Sequence, residues 1–152
     1  METTPTTNVY LHKLSLRNIK PTALRLLILK AMMAHTDAFS LQSLEDDLDT
    51  VDKSTIYRTI TLFLTHHLIH AIDDGTGSMK YAVCANSCHC GEEGGLHTDD
   101  LHAHFYCESC HRTFCLNSIH VPVATLSGDF EVHSINYVLK GLCSECKAKW
   151  RH

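Results

Sequence analysis

Hydrophobic and polar positions change period part-way along the chain. Leu16, Ile19, Leu24, Leu27, Ile28 and Ala31 recur at mostly helical spacing, which predicts a helix over residues 21–34 with Pro21 in its first turn and Thr22 near its cap. Ser40 then reads as the N-cap of a short helix ending near Leu48. After the turn Asp49 to Asp52, a third helix capped by Asp52 or Ser54 places Ile56, Ile60, Phe63, Leu64 and Leu68 on one face. Two strand-like runs follow, residues 68–72 and 79–83, joined by Asp73-Asp74-Gly75-Thr76-Gly77, a strong turn sequence. Helix, turn and helix of this size form a helix-turn-helix pattern, with the hairpin as a wing behind its last helix.

The pattern breaks at Cys84. Residues 84–100 are rich in Gly, Cys and acidic side chains without apolar period, and read as a linker between units at 1–83 and 101–152. Beyond it, residues 102–106 and 112–116 read as strands, 119–126 as a helix limited by Pro122, and 130–139 as a further strand before a turn at Gly141. Residues 1–10 read as a loosely attached arm. There is no internal repeat and no heptad pattern. The class expected is α+β.

Composition narrows the function. With 44% hydrophobic and 20% charged residues the chain is an ordinary globular sequence, and no apolar run approaches the ~20 residues of a membrane span. The Thr-rich start lacks a basic-then-apolar leader, so a cytoplasmic protein with no membrane partner is expected. In that setting eight cysteines beside thirteen histidines point to thiols and metal ligands rather than disulfides. The formal net charge of −4 requires that any nucleic-acid contact come from a local basic patch.

The strongest chemical signal is Cys107-x-x-Cys110 with Cys143-x-x-Cys146, separated by 32 residues. Each pair can grip one ion from a tight turn. Four thiolates close a tetrahedral shell with no place for a substrate, which argues for structural Zn2+. The plain alternative is a set of redox-active or uncoordinated thiols. A second constellation is His102-x-His104, whose side chains share a face on a regular strand. His70 on the hairpin and Cys84 at its exit are nearby candidates, and such a site would bridge the two units; the alternative is surface histidines and a small buried cysteine. Cys88, His89, Cys90 and His97 form a less specific cluster, and Cys115 is either an alternative ligand or a core or surface thiol.

Lys53-Ser54-Thr55-Ile56-Tyr57-Arg58-Thr59 opens the third helix, and recognition helices present their N-terminal residues to the major groove. Lys53, Ser54 and Arg58 suit phosphates, while Thr55, Tyr57 and Arg58 can reach base edges. Lys20, Thr22 and Arg25 add candidate backbone contacts. The bland reading is a small helical domain with no DNA role.

Lys20-Pro21-Thr22-x-x-Arg25, Ser54-Thr55-Ile56-Tyr57-Arg58-Thr59, Tyr81-Ala82-Val83-Cys84, His102-x-His104-x-x-Cys107-x-x-Cys110 and Gly141-x-Cys143-x-x-Cys146 occur in the order seen in the ferric uptake regulator family. Over residues 15–150 the chain resembles that family, and zinc uptake regulators most. The resemblance implies an N-terminal winged helix-turn-helix domain and a C-terminal α/β dimerisation domain with a four-cysteine structural zinc site. It implies a homodimeric repressor, not an enzyme, that binds a palindromic double-stranded DNA operator when metal-loaded, with no small organic substrate. It maps a regulatory site onto His70, Cys84, His102 and His104, making about two Zn2+ per chain. Three rivals stand beside this reading: an iron-, manganese- or peroxide-sensing relative, a zinc hydrolase or deaminase, and a zinc-stapled interaction module. The second lacks the His-x-Glu and Pro-Cys-x-x-Cys signature.

Overall fold

The computed structural model describes residues 5–84, 102–122, 126–132 and 135–150. Its elements are α1 (Pro5–Leu16), α2 (Ala23–Ala34), β1 (Phe39–Ser40), α3 (Leu41–Asp47), α4 (Lys53–Thr65), β2 (Ile69–Ile72), β3 (Lys80–Val83), β4 (His102–Cys107), β5 (Thr113–His120), β6 (Val138–Gly141) and α5 (Ser144–Trp150). The chain is thus mixed α and β, as expected.

Local chemistry sets the helix ends. Thr22 caps α2, its hydroxyl accepting from the Arg25 backbone N–H at 3.2 Å. Ser40 caps α3 in a reciprocal box with Ser43. Helices α1 and α4 close in the same way. Asn18 and His67 adopt positive φ, and the next residue's N–H, on Ile19 or Leu68, reaches back to the carbonyl of Leu14 or Phe63 at 2.9 Å. The following apolar residue is buried each time, so each cap also turns the chain into the core.

That core comprises Leu14, Ile28, Leu29, Leu44, Ile56, Phe63 and their neighbours from α1 to α4, closed by Leu68 and Ile69. Beside it lies an antiparallel sheet in the order β1-β3-β2, with His70 opposite Ala82. A second sheet has the order β5-β4-β6, with β4 antiparallel to β5 and parallel to β6. Its ladder shifts register between His102 and Ala103.

Four expectations need correction. Residues 5–10 are helical rather than a loose arm: Pro5 starts α1, where its missing N–H costs nothing, and Leu14 anchors the helix in the core. Of the helix expected within 119–126, residues 119 and 120 belong instead to β5, which pairs His120 with His102, and residues 123–125 lie outside the described residues. Among the described residues, the strand expected over 130–139 is limited to Val138–Gly141. The second cysteine pair does not sit wholly on a turn, because Cys146 lies in α5.

The two sheets meet through β5. The Ala38 backbone N–H donates to the Thr113 carbonyl at 2.8 Å. The Thr113 hydroxyl donates to Asp74 Oδ2 at 2.9 Å, and Asn136 Nδ2 donates to the Asp73 carbonyl at 2.6 Å. Arg112 pairs with Asp37 at 3.3 Å, which holds its guanidinium pKa above the ordinary value. Ala38, Ile72 and Ala82 form a small apolar cluster onto which Cys115 packs.

Candidate metal centres and nucleic-acid face

Cys107 ends β4, Cys110 follows in the turn to β5, Cys143 precedes α5 and Cys146 lies on its first turns. The parallel pairing of Cys107 with Gly141 brings the two halves of the motif together across the sheet. All four sulfurs lie within 4.8 Å of one another; Cys107, Cys143 and Cys146 are buried and Cys110 is exposed. Backbone N–H groups of Cys110 and Cys143 point at the Cys107 sulfur and lower its pKa to about 6 against the effect of burial. The Arg112 N–H acts in the same sense on Cys110, yet partial desolvation beside the buried sulfurs and bonding to them push its thiol up to about 11. Four thiolates this close repel one another unless a cation sits among them, and the set fits a tetrahedral S4 site for zinc. Phe105 and Phe114 pack on the cluster, and Arg112 lies over the Phe114 ring at 4.9 Å and 3.6 Å from Glu145 of α5.

The second cluster forms at the junction between the sheets. His70 from β2, His104 from β4 and Cys115 from β5 place donor atoms within 4.8 Å of one another. The His70 and His104 rings are 5.6 Å apart, and His104 stands directly opposite Cys115 in the β4–β5 ladder. Cys84 follows β3, its backbone N–H held by the Leu68 carbonyl at 2.9 Å, and its sulfur lies 3.3 Å from His70 Nδ1. The Lys13 ammonium of α1 donates to the Cys84 carbonyl at 3.4 Å. Imidazole and thiolate donors gathered in a half-buried junction fit a borderline-soft divalent ion.

Of the four residues mapped onto a regulatory site, His70, Cys84 and His104 therefore share one locality. His102 is the first residue of β4, where the register shift interrupts strict alternation, and its side chain is outside the described residues. Cys88, Cys90 and His97 also lie outside them. Cys115 joins the cluster because the β4–β5 pairing sets it against His104; sequence parity along a single strand does not reveal a cross-strand partner.

Helix α4 turns Ile56, Thr59, Ile60 and Phe63 into the core and leaves Lys53, Ser54, Tyr57 and Arg58 exposed, Tyr57 at 61%. Thr55 is half-buried. Arg58 Nε donates to the Ser54 carbonyl at 3.3 Å, and Lys53 lies 3.5 Å from Glu45. Lys20 and Thr22 are exposed before α2, where the half-buried Arg25 donates to the Lys20 carbonyl at 2.7 Å. The helix end thus offers hydroxyl, phenol, ammonium and guanidinium groups on one surface.

The fold is that of the ferric uptake regulators. A zinc uptake regulator complexed with zinc and DNA superposes on the chain with a TM-score of 0.66 at 19% identity, covering 99% of this chain and 100% of that one. Holo XcZur superposes at 0.64 with 16% identity, covering 94% and 97%. The Vibrio cholerae ferric uptake regulator superposes at 0.54 with 15% identity, covering 87% and 98%. No family model matches the sequence, and no curated protein does. Among the described residues no helix is long and apolar enough to cross a membrane.

Proposed function

We propose that the chain is a zinc-responsive transcriptional repressor of the cytoplasm, which binds palindromic operator DNA as a homodimer when its junction site is loaded. The observation that carries this reading is the meeting of imidazole and thiolate donors from β2, β4 and β5, with Cys84 beside them, at the contact between the helix-bearing sheet and the four-cysteine sheet. On this reading residues 1–83 form a winged-helix reading head, 84–100 a hinge and 101–152 a pairing unit.

The junction ion would be held by His70, Cys84 and His104, with His102 a further candidate, and would supply a positive centre that ties the strands together. His70 and Cys84 fix the hairpin end of the reading head. His104 fixes it to the second sheet, so the orientation of α4 becomes a property of the loaded state. A shift from mostly open to mostly closed needs about 5.5 kcal/mol of differential binding. Structural zinc contributes about 10 kcal/mol or more in small metal domains, so a weaker junction site suffices. Linkage then requires DNA to tighten the metal in return.

Cys107, Cys110, Cys143 and Cys146 would hold the structural zinc. Exposed Phe130, Val132, Tyr137, Leu139, Leu142 and Trp150 supply apolar surface in the pairing unit for a second copy of the chain. Lys53, Ser54, Thr55, Tyr57 and Arg58 would enter the major groove, with Lys20, Thr22 and Arg25 near the backbone.

Selection from a random DNA duplex library tests the proposal. The zinc-loaded chain should enrich a palindrome, and chelator-treated protein should not. Enrichment that is equal with and without zinc, or unchanged in Tyr57→Ala/Arg58→Ala, would refute it.

A further inference from the structure

The junction cluster has a member that the mapped regulatory set omits. Cys115 faces His104 across the β4–β5 ladder, and its donor atom lies within 4.8 Å of those of both His70 and His104. Cys84 Sγ lies 3.3 Å from His70 Nδ1. These four residues already provide the donors a tetrahedral ion takes. The edge of such a tetrahedron, from metal–nitrogen and metal–sulfur bonds of about 2.0 and 2.3 Å, is about 3.5 Å. The Cys84–His70 spacing is near that value, the His70, His104 and Cys115 donors lie within 4.8 Å of one another, and loading would draw the set together by side-chain rotation.

Resting on the junction site of the proposed function, we propose that Cys115 is the fourth ligand and sets the metal specificity of that site, giving two imidazoles and two thiolates that take a thiophilic divalent ion, Zn2+ or Cd2+, in preference to Mn2+ or Fe2+. Three observations converge. The sulfur arrives by strand register rather than by a movable loop, so its position is fixed by the ladder. It packs against Ala38, Ile72 and Ala82, surroundings that suit a polarizable sulfur better than a carboxylate. Among the described residues, the donors gathered here include no carboxylate, the donor type that hard cations prefer. His102 is then dispensable for the junction ion.

The test uses the full chain with zinc retained in the four-cysteine site and Co2+ titrated into the junction. The sulfur-to-cobalt charge-transfer band in the near ultraviolet counts thiolates independently of DNA. Wild type should show a two-thiolate band, Cys115→Ser and Cys84→Ser about half of it, and His102→Ala all of it. In Cys115→Asp, which keeps a donor, the preference for Zn2+ over Mn2+ should narrow about tenfold or more. Circular dichroism and retained zinc in the four-cysteine site confirm folding of each variant. A full band in folded Cys115→Ser overturns the assignment even if DNA binding stays zinc-dependent, as does loss of the band in His102→Ala. A halved band in Cys115→Ser sustains it even if DNA binding proves independent of zinc, in which case only the repressor reading falls.

Discussion

Asp74 is a carboxylate with 1% of its surface exposed, in the turn between β2 and β3. Its Oδ1 accepts from the backbone N–H and hydroxyl of Thr76, and its Oδ2 from Thr113 Oγ1 at 2.9 Å and Lys80 Nζ at 3.3 Å. Thr113 is itself buried, so this bond ties the turn to the second sheet without any metal. Replacing Thr113 with Val removes one hydrogen bond to a charged acceptor, a loss of about 1.5–3 kcal/mol. Asp74→Ala also strands the Lys80 ammonium and the Thr113 hydroxyl, and should cost about 3–5 kcal/mol. The double mutant should lose less than the sum, with a coupling of about 1–3 kcal/mol. At about 2–4 °C per kcal/mol for a chain of this size, Thr113→Val should lower Tm by about 3–12 °C. Burial raises the Asp74 carboxyl, but the Thr76 and Thr113 bonds and Lys80 more than offset it, leaving its pKa below the ordinary 3.8. A depressed folded value means that the stabilisation is complete above about pH 4 and is lost only as pH falls through the lower folded pKa. Imidazole and thiolate donors, by contrast, take up protons and release metal below about pH 6. Double-mutant cycles by urea unfolding of the zinc-loaded protein at about pH 6.5 and about pH 8, where the ion stays bound and Asp74 stays ionised, should therefore agree. A coupling below about 0.5 kcal/mol at either pH would refute the clasp.

Three other perturbations have defined outcomes. Gly75 and Gly77 both hold φ near +80°, and a Cβ on Gly75 would come within 2.7 Å of Lys140 Nζ, while nothing lies near one on Gly77; because that ammonium ends a flexible side chain, Gly75→Ala and Gly77→Ala should each cost about 1–2 kcal/mol in thermal unfolding, alike within about 1 kcal/mol. Cys143→Ser should lower bound zinc by about one ion per chain by elemental analysis and speed amide exchange in α5, because four thiolates close the shell and three do not. Arg58→Ala should weaken binding to the selected duplex by about 1–3 kcal/mol and relax its sequence preference, whereas Lys53→Ala should weaken all duplexes alike and reduce the salt slope by about 1, as fluorescence anisotropy would show.

Most of the first half was readable because its signals are local. Ser40 and Thr22 cap helices through their own hydroxyls, and the Asp-Asp-Gly-Thr-Gly turn demands a hairpin. Helix α1 was hidden because Thr6, Thr7 and Asn8 are poor helix formers and Leu14 is the one fully buried anchor among its described side chains, although Pro5 at the first position was a usable sign. The continuation of β5 had a signal too: Ile119, Val121 and Val123 alternate, a period of two that argues against a helix. For α5, Glu145 in the first turn with Lys147 and Lys149 in the last complement the helix dipole, a pattern obscured by the cysteine pair. The four-cysteine site was legible because the spacing within each pair suffices to define it. The junction was only half legible. His70, Cys84 and His104 stand out by residue type, but the place of Cys115 depends on a ladder register that no local pattern encodes.

The junction joins two kinds of contact on one face of β5, since Thr113 and Cys115 are two residues apart on a strand. On the switch proposed above, the clasp through Thr113 involves no metal ligand, so it favours the closed form equally whether or not the ion is present and is not itself the switch. It does set how much the ion must contribute. Where the proposed open form dominates the metal-free protein, weakening the clasp by about 1.5–3 kcal/mol lowers the closed fraction, and with it the apparent metal affinity, by about tenfold or more. Thr113→Val should therefore move the zinc concentration for half-maximal DNA binding upward by that factor and leave the affinity at saturating zinc unchanged. Cys115→Ser, which removes a proposed ligand instead, should lower the affinity at saturation as well. Zinc titrations of both variants, followed by anisotropy of the selected duplex, separate the two roles. A Thr113→Val curve with an unmoved midpoint and a lower plateau would show that the hydroxyl acts on the reading head directly, and the division of labour along β5 would be wrong.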